Sequence, residues 1–282
     1  MSHFTVLVVG ENPDEHLEPF SEELQVPEYT TDCWCIGKKA HREATEKVEA
    51  VYKSIDQLRK EFHNKPVEDR TEENWRKDIK TYEDMEKTYA KENPMYGKPD
   101  PTCEECKGTG KVKSTYNPNS KWDWYSVGGR WAGFFMLKDR TAKGKIGRPG
   151  VFNNEPVYDA DQARKGEINW EAMKGANRQR GIEAWERYKK DLEKAKTPEE
   201  KSTIFFRYDT TALTKKADFI KGHESISTFA VLKDGEWYQK GDMGWWGIVS
   251  NAQKQDDWEN EWQKLIDSLP DDTLLTLVDC HI

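Results

Sequence analysis

Phe4-Thr5-Val6-Leu7-Val8-Val9-Gly10 near one end of the chain and Thr273-Leu274-Leu275-Thr276-Leu277-Val278 near the other decide the fold. The first run is dominated by β-branched residues and offers no polar face, so it predicts a buried strand ended by glycine. The second follows a stretch, 257–269, that places Trp258, Trp262, Leu265, Ile266 and Leu269 on one helical face before Pro270 stops it. Upstream, 225–232 and 236–239 are strand-like and joined by Asp234-Gly235, the two-residue turn chemistry that matches strand twist, and 246–249 predicts one more strand. Strand, helix, strand in that order favours a right-handed crossover between parallel neighbours, which puts the C-terminal strand inside the sheet. The expected architecture is a single α+β domain over 1–282, whose mixed sheet is built from N-terminal and C-terminal strands.

The middle of the chain has a different character. Over 41–63 the apolar residues Ala44, Val48, Val51, Ile55, Leu58 and Phe62 recur at helical spacing. Thr71 can cap a second helix carrying Trp75, Ile79, Tyr82, Met85 and Tyr89, with Pro66 in the break. These form a charged helical-hairpin insertion over 38–92. A third helix is expected over 169–196, weakened by Gly175 and Gly181.

Hydrophobic residues make up only 35% of the chain, but 12 Trp, 11 Tyr and 10 Phe supply the bulk of a core, because each aromatic ring buries about 150–250 Å². The apolar run at the start ends at Val9, without the basic start or small-residue cleavage site of a signal peptide, and no stretch approaches the ~20 apolar residues of a membrane span. A cytoplasmic protein with no membrane partner is expected. The five cysteines, odd in number and concentrated in two close pairs, fit a reducing compartment and a metal better than a disulfide framework.

Cys103-Glu104-Glu105-Cys106-Lys107-Gly108-Thr109-Gly110 is a Cys-x-x-Cys followed by a Gly-x-Gly turn, half of a zinc knuckle, and Cys33-Trp34-Cys35 supplies a second pair. Cys33, Cys35, Cys103 and Cys106 are therefore the candidate ligands of a structural zinc that staples the start of the helical insertion to its end. Buried free thiols and a redox pair are the alternatives, and Cys280-His281 offers further ligand candidates.

The segment 103–150 is basic and rich in Gly and Trp. Residues 107–148 carry ten Lys or Arg against Asp123 and Asp139, a local charge of +8 in a chain whose net charge is −8. Inside it lies Trp122-Asp123-Trp124-Tyr125-Ser126-Val127-Gly128-Gly129-Arg130-Trp131, which crowds aromatic faces, glycines and a guanidinium together. Those are the groups an anionic ligand with a ring requires. Gly128-Gly129-Arg130 can bring backbone amides and a forked donor onto one oxyanion, and Gly144-Lys145-Ile146-Gly147-Arg148-Pro149-Gly150 is a glycine-rich basic loop able to approach phosphate. Asp242-Met243-Gly244-Trp245-Trp246-Gly247 is a second aromatic cluster. The candidate ligand-binding set is Trp122, Asp123, Trp124, Tyr125, Arg130, Trp131, Lys145, Arg148, Trp245 and Trp246, with both tryptophan windows walling one cavity. The competing reading is a solvated basic face beside a close-packed aromatic core.

Catalytic signatures are few. No Ser-centred elbow, His-Glu-x-x-His, nucleotide-hydrolase phosphate loop or Gly-x-Gly-x-x-Gly after the first strand occurs. Asp123, Asp242, Asp279 and His281 are the possible acid-base groups, Asp279-Cys280-His281 being equally a strand that ends in polar residues.

Met1-Ser2-His3-Phe4-Thr5-Val6-Leu7-Val8-Val9-Gly10, the central Ser114-Thr115-Tyr116-Asn117-Pro118-Asn119-Ser120-Lys121-Trp122-Asp123-Trp124-Tyr125 with Gly128-Gly129-Arg130-Trp131, and Ile226-Ser227-Thr228-Phe229-Ala230-Val231-Leu232-Lys233-Asp234-Gly235-Glu236-Trp237-Tyr238 with Met243-Gly244-Trp245-Trp246-Gly247 and Asp272-Thr273-Leu274-Leu275-Thr276-Leu277-Val278-Asp279-Cys280-His281-Ile282 carry a resemblance. Over roughly half its length the chain resembles a family of hypothetical proteins encoded by bacteriophages and prophages. The resemblance brings no catalytic residue with it, and the cysteine pairs and helical hairpin lie outside its motifs. It implies an accessory protein of the infected bacterial cell that acts on host defence. The expected function is sequestration of a small nucleotide-like anionic signal. A nucleotide- or phosphodiester-processing enzyme using the same pocket, a nucleic-acid-binding protein, and an inhibitor whose hairpin contacts a host defence protein are the alternatives.

Overall fold

The computed structural model describes residues 2–66, 69–142, 144, 147–149, 156–211, 213–244 and 247–282, with the side chains of 72, 148 and 149 excepted. The chain divides into two units, one comprising Met1–Val26, Tyr116–Glu183 and Ile220–Ile282, the other Pro27–Thr115 and Ala184–Phe219.

In chain order the strands are β1 (His3–Val9), β2 (Tyr29–Asp32), β3 (Lys111–Ser114), β4 (Trp124–Gly129), β5 (Arg148–Pro149), β6 (Gln162–Arg164), β7 (Ala230–Lys233), β8 (Glu236–Gln239), β9 (Asp242–Met243), β10 (Val249–Ser250) and β11 (Leu274–His281). The helices are α1 (Pro13–Leu17), α2 (Lys38–Val51), α3 (Ile55–Asn64), α4 (Glu72–Glu92), α5 (Trp170–Lys194), α6 (Pro198–Arg207), α7 (Lys216–Glu224) and α8 (Gln255–Asp267).

The first unit is built on a mixed seven-stranded sheet in the order β5-β4-β11-β1-β7-β8, with β6 also paired to β11. β1 runs antiparallel to β11 from His3 opposite His281 to Val9 opposite Leu275, and parallel to β7. The terminal strand is thus inside the sheet, as its apolar run implies. Its partners differ from the expected ones, because both β1 and β4 run antiparallel to it. The crossover through α8 joins β8 to β11, which point the same way but are separated by β7 and β1.

Alternation along β1 and β11 sends side chains into two cores. On one face Leu7, Val9, Val231, Leu275 and Leu277 pack under Trp258, Trp262 and Ile266 of α8, with Phe135, Ile168 and Met173. On the other, Phe4, Val6, Val8, Leu232, Val278 and Cys280 pack against Leu17, Phe20 and Trp122. Both indoles of α8 are satisfied at one residue: Trp258 Nε1 donates to the Thr228 carbonyl at 2.8 Å and Trp262 Nε1 to its hydroxyl at 3.1 Å. Only 230–233 of the expected 225–232 strand pairs, because the preceding residues leave the sheet to receive these indoles. In the Asp234-Gly235 turn, φ is 54° and 76°, the doubly left-handed backbone that a two-residue hairpin demands. β9 and β10 form a separate two-stranded ladder, so the 246–249 strand is reduced to Val249–Ser250 among the described residues.

In the second unit, β2 and β3 pair antiparallel from Tyr29 opposite Ser114 to Asp32 opposite Lys111. The helix expected over 41–63 is two helices. Ser54 breaks it with a capping box in which its hydroxyl accepts from Gln57 N at 3.2 Å and Gln57 Oε1 accepts from Ser54 N at 2.8 Å. Apolar spacing carries through this break and conceals it. Thr71 caps α4 as expected, accepting from Asn74 N at 3.2 Å. Val48, Leu58 and Tyr82 form the core of this three-helix insertion, with Trp75, Ile79, Met85 and Tyr89 packed around it. α5 continues through Gly175 and Gly181 without interruption. A glycine costs a helix about 1 kcal/mol, less than the packing of a long element returns.

Candidate functional site

The Gly128-Gly129-Arg130 turn ends β4. Its two glycines adopt φ of 72° and 52°. A Cβ on Gly128 would overlap the Asp161 carboxylate, and one on Gly129 would overlap Asp279 and lie 2.7 Å from Ser126 Oγ. The backbone amide of Arg130 donates to Asp279 Oδ2 at 2.9 Å. The oxyanion gathered by this turn is therefore the protein's own Asp279, on the neighbouring strand. Asp161 is held in the same manner by the amides of Phe134 at 3.0 Å and Gly147 at 2.9 Å. Burial nonetheless pushes its carboxyl above the usual carboxylate range.

Arg130 leads out of the turn into a cavity of about 280 Å³ that also takes in Thr5, Trp131, Phe134, Tyr158, Asn177, Arg180 and 225–227. One wall is a continuous network. Asn177 Oδ1 accepts from the Tyr158 hydroxyl at 2.9 Å and from Arg180, and Asn177 Nδ2 donates to the Ser225 carbonyl at 3.1 Å. The Arg180 guanidinium lies 4.9 Å from the centre of the Tyr158 ring. Burial raises the Tyr158 phenol against the opposing pull of Arg180, so it remains a neutral hydroxyl donor.

Charge separates this cavity from three others. Among the described residues its lining includes two arginines, Arg130 and Arg180, and no acid. A neighbouring cavity of about 360 Å³ sets Lys174 and Lys221 against Glu224 and Glu259. In the second unit, a cavity of about 460 Å³ beside the cysteines sets Lys38, Lys39 and Arg42 against Asp100, Glu104 and Glu105, and a third sets Lys194 and Arg207 against Asp191 and Glu200.

A second polar group lies at the end of the sheet. His3 Nδ1 is 2.8 Å from Asp279 Oδ1, and His281 Nδ1 is 2.7 Å from Asp123 Oδ1. The Trp124 ring stacks on His281 at 5.1 Å.

In the second unit, pairing of Asp32 with Lys111 brings the residues after β2 to those before β3, and Cys33 N donates to the Gly110 carbonyl at 2.9 Å. All four sulfurs of Cys33, Cys35, Cys103 and Cys106 lie within 4.8 Å of one another. Cys33 and Cys103 are 3.7 Å apart, and Cys35 and Cys106 3.5 Å. A tetrahedral ion with Zn–S bonds of 2.3 Å has S···S edges of about 3.8 Å, so the thiols are already spaced as a metal would hold them. At Cys33 the backbone amide of Cys35 favours the thiolate, but burial and neighbouring thiols outweigh it and the thiol is pushed up to about 12. Burial opposes ionisation of Cys106 too, yet the Gly110 amide and the other three thiols overcome it and bring it down to about 7.

The remaining candidates are dispersed around β4, some before it, some on it and some after it. Arg130 and Trp131 reach the cavity, and Asp123 and Trp124 join the histidines. Trp122 and Tyr125 are on the opposite face, where Trp122 Nε1 donates to the Leu17 carbonyl at 3.2 Å and the Tyr125 hydroxyl donates to Asp14. Lys145, Trp245 and Trp246 lie outside the described residues, as does the Arg148 side chain. Asp242 accepts from Gln239 and Asn251, both at 2.7 Å, and braces its turn. The +8 segment is not one stripe, since it divides between the units at Thr115 and Tyr116. Within it Lys111 pairs with Asp32 at 2.5 Å, Lys113 with Glu28 at 3.0 Å and Arg140 with Asp159 at 2.9 Å.

Sequence reasoning did not find Arg180, Asn177 and Tyr158, which sit among unremarkable helix and loop residues. It also missed His3, for which a signal existed: two-residue alternation places His3 and Thr5 on one face of β1, facing His281 and Asp279 once the antiparallel register is known.

No protein-family model, curated protein or solved structure matches the chain. Among the described residues no helix is long and apolar enough to cross a membrane.

Proposed function

We propose that the first unit binds a compact, ring-bearing anion of the nucleotide class in the Arg130–Arg180 cavity, and that the four thiols of the second unit hold a structural zinc ion. The observation that carries the first reading is the make-up of the cavity: the guanidinium-bearing Arg130 and Arg180 line it together with the rings of Trp131, Phe134 and Tyr158. A guanidinium fork matches phosphate oxygens, and an aromatic wall accepts a planar base. At about 280 Å³ the cavity is at the small end for ligand sites, which run to about 300–1,000 Å³, and so favours one ring with one phosphate over a dinucleotide. Ion pairing and division of the basic segment speak against a long polyanion laid along it. In the setting implied by the resemblance to phage-encoded proteins, such a binder withholds a signalling nucleotide from a host defence system, by affinity without turnover.

The test is capture. Purified protein is incubated with a nucleotide extract, washed, and its released ligand identified by mass spectrometry, with affinity then measured by calorimetry. A charged hydrogen bond is worth about 1.5–3 kcal/mol, so Arg180→Ala and Arg130→Ala should each weaken binding by about 10- to 150-fold. An altered ligand would turn the reading toward an enzyme. No capture by the wild type, or equal capture by both variants, refutes it.

A further inference from the structure

We propose that His3 and His281 form a metal site separate from the thiol cluster, one that takes a borderline divalent ion such as Zn²⁺ or Co²⁺. Ser2 and Ile282 exchange both backbone hydrogen bonds, at 3.3 and 3.1 Å, and His3 faces His281 at the next position of the β1–β11 ladder. That next pair is a non-hydrogen-bonded one, where cross-strand side chains stand closest. The two imidazole centroids are 4.9 Å apart with planes inclined at 69°. Two imidazoles on one tetrahedral ion, with Zn–N bonds of about 2.0–2.1 Å, have centroids about 5 Å apart, so the spacing of the rings matches that of a shared ion.

The hydrogen bonds fix which nitrogens are offered. A carboxylate only accepts, so Nδ1 of His3 carries a proton toward Asp279 and Nδ1 of His281 one toward Asp123, at 2.8 and 2.7 Å. With Nδ1 turned to a carboxylate, Nε2 is the nitrogen each ring has left to offer an ion, in the arrangement that metal-ligating histidines adopt. His281 is 6% exposed and its Nε2 is buried with no hydrogen-bond partner. β11 lies between β4 and β1, with Asp123 immediately before β4. The edge of the His281 ring turned away from Asp123 therefore faces the strand that carries His3. Asp123 and Asp279 together supply the two negative charges that balance a divalent ion, while Trp124 covers the His281 ring.

Cobalt titration of the untagged, metal-stripped full chain tests this, because the two sites differ in colour. Thiolate ligands give intense near-ultraviolet charge-transfer bands with Co²⁺, whereas imidazole and oxygen ligands give only weak visible bands. The expected result is two equivalents, one of each kind. His3→Gln and His281→Gln should each abolish the weak-banded equivalent and leave the thiolate bands, and Asp123→Asn should weaken it by about 10- to 100-fold. Cys103→Ser with Cys106→Ser should do the reverse. Because the wild-type count suffices, the test survives a variant that fails to fold. A single, wholly thiolate equivalent in the wild type, or a weak-banded equivalent that persists when both histidines are replaced, overturns the proposal.

Discussion

Replacing Gly129 with alanine should be among the most damaging single-methyl changes available in this protein. Its φ of 52° puts an alanine in the left-handed region, which costs about 1–2 kcal/mol. The new methyl also has nowhere to go, since it would overlap Asp279 and lie 2.7 Å from Ser126 Oγ. Overpacking of that kind adds about 1–3 kcal/mol. Shifting Asp279 to relieve it loosens the bonds from the Arg130 amide at 2.9 Å and from His3 at 2.8 Å, each worth about 1.5–3 kcal/mol when intact. Partial loss of these brings the total to about 4 kcal/mol, a large fraction of a typical stability of about 5–15 kcal/mol. Gly235→Ala is the matched control, because φ there is also positive, at 76°, but nothing lies within 4 Å of the added Cβ. It should cost only about 1–2 kcal/mol. Urea unfolding followed by tryptophan fluorescence measures both. If the two variants unfold at midpoints within about 1 kcal/mol of each other, Asp279 is not packed against the turn and the account of the site fails.

Two further outcomes follow from the same core. Trp262→Ala, which removes a fully enclosed indole and its bond to Thr228, should destabilise by about 3–5 kcal/mol in the same assay; a loss below about 1 kcal/mol would show that α8 is not seated on the sheet. Asp161 binds its proton more tightly folded than unfolded, because burial raises its carboxyl, so its contribution is complete below the unfolded value and is lost as pH rises through the folded one. The stability of wild type relative to Asp161→Asn should therefore fall as pH climbs from about 4 and level off above the raised value; a difference that grows with pH would contradict the burial argument.

What the sequence disclosed depended on whether a signal was local. β1, the seat of α8 and the Asp234-Gly235 turn were legible because apolar spacing and turn chemistry are written in consecutive residues. The division into α2 and α3 was not, because Ser54 and Gln57 act through a capping box that leaves the apolar period intact. Four clustered thiols were foreseen from two short spacings. Trp122-Asp123-Trp124-Tyr125 misled for a geometric reason: β4 begins only at Trp124, so Trp122 precedes the strand and packs on Leu17, whereas Trp124 and Tyr125 alternate to opposite faces within it. The second arginine of the cavity, Arg180, comes from α5, fifty positions after Arg130, and no local pattern announces it.

β1 ends at Val9, and β11, its partner at the centre of the sheet, begins only at Leu274. On the ribosome β1 is made long before β11 and keeps one flank uncovered until residues 274–281 arrive, so the pairing at the centre of this unit has a high contact order and waits for them. A chain interrupted before residue 274 is left with an open β edge at β1, which makes such truncated products candidates for chaperones and proteases and not for partial activity.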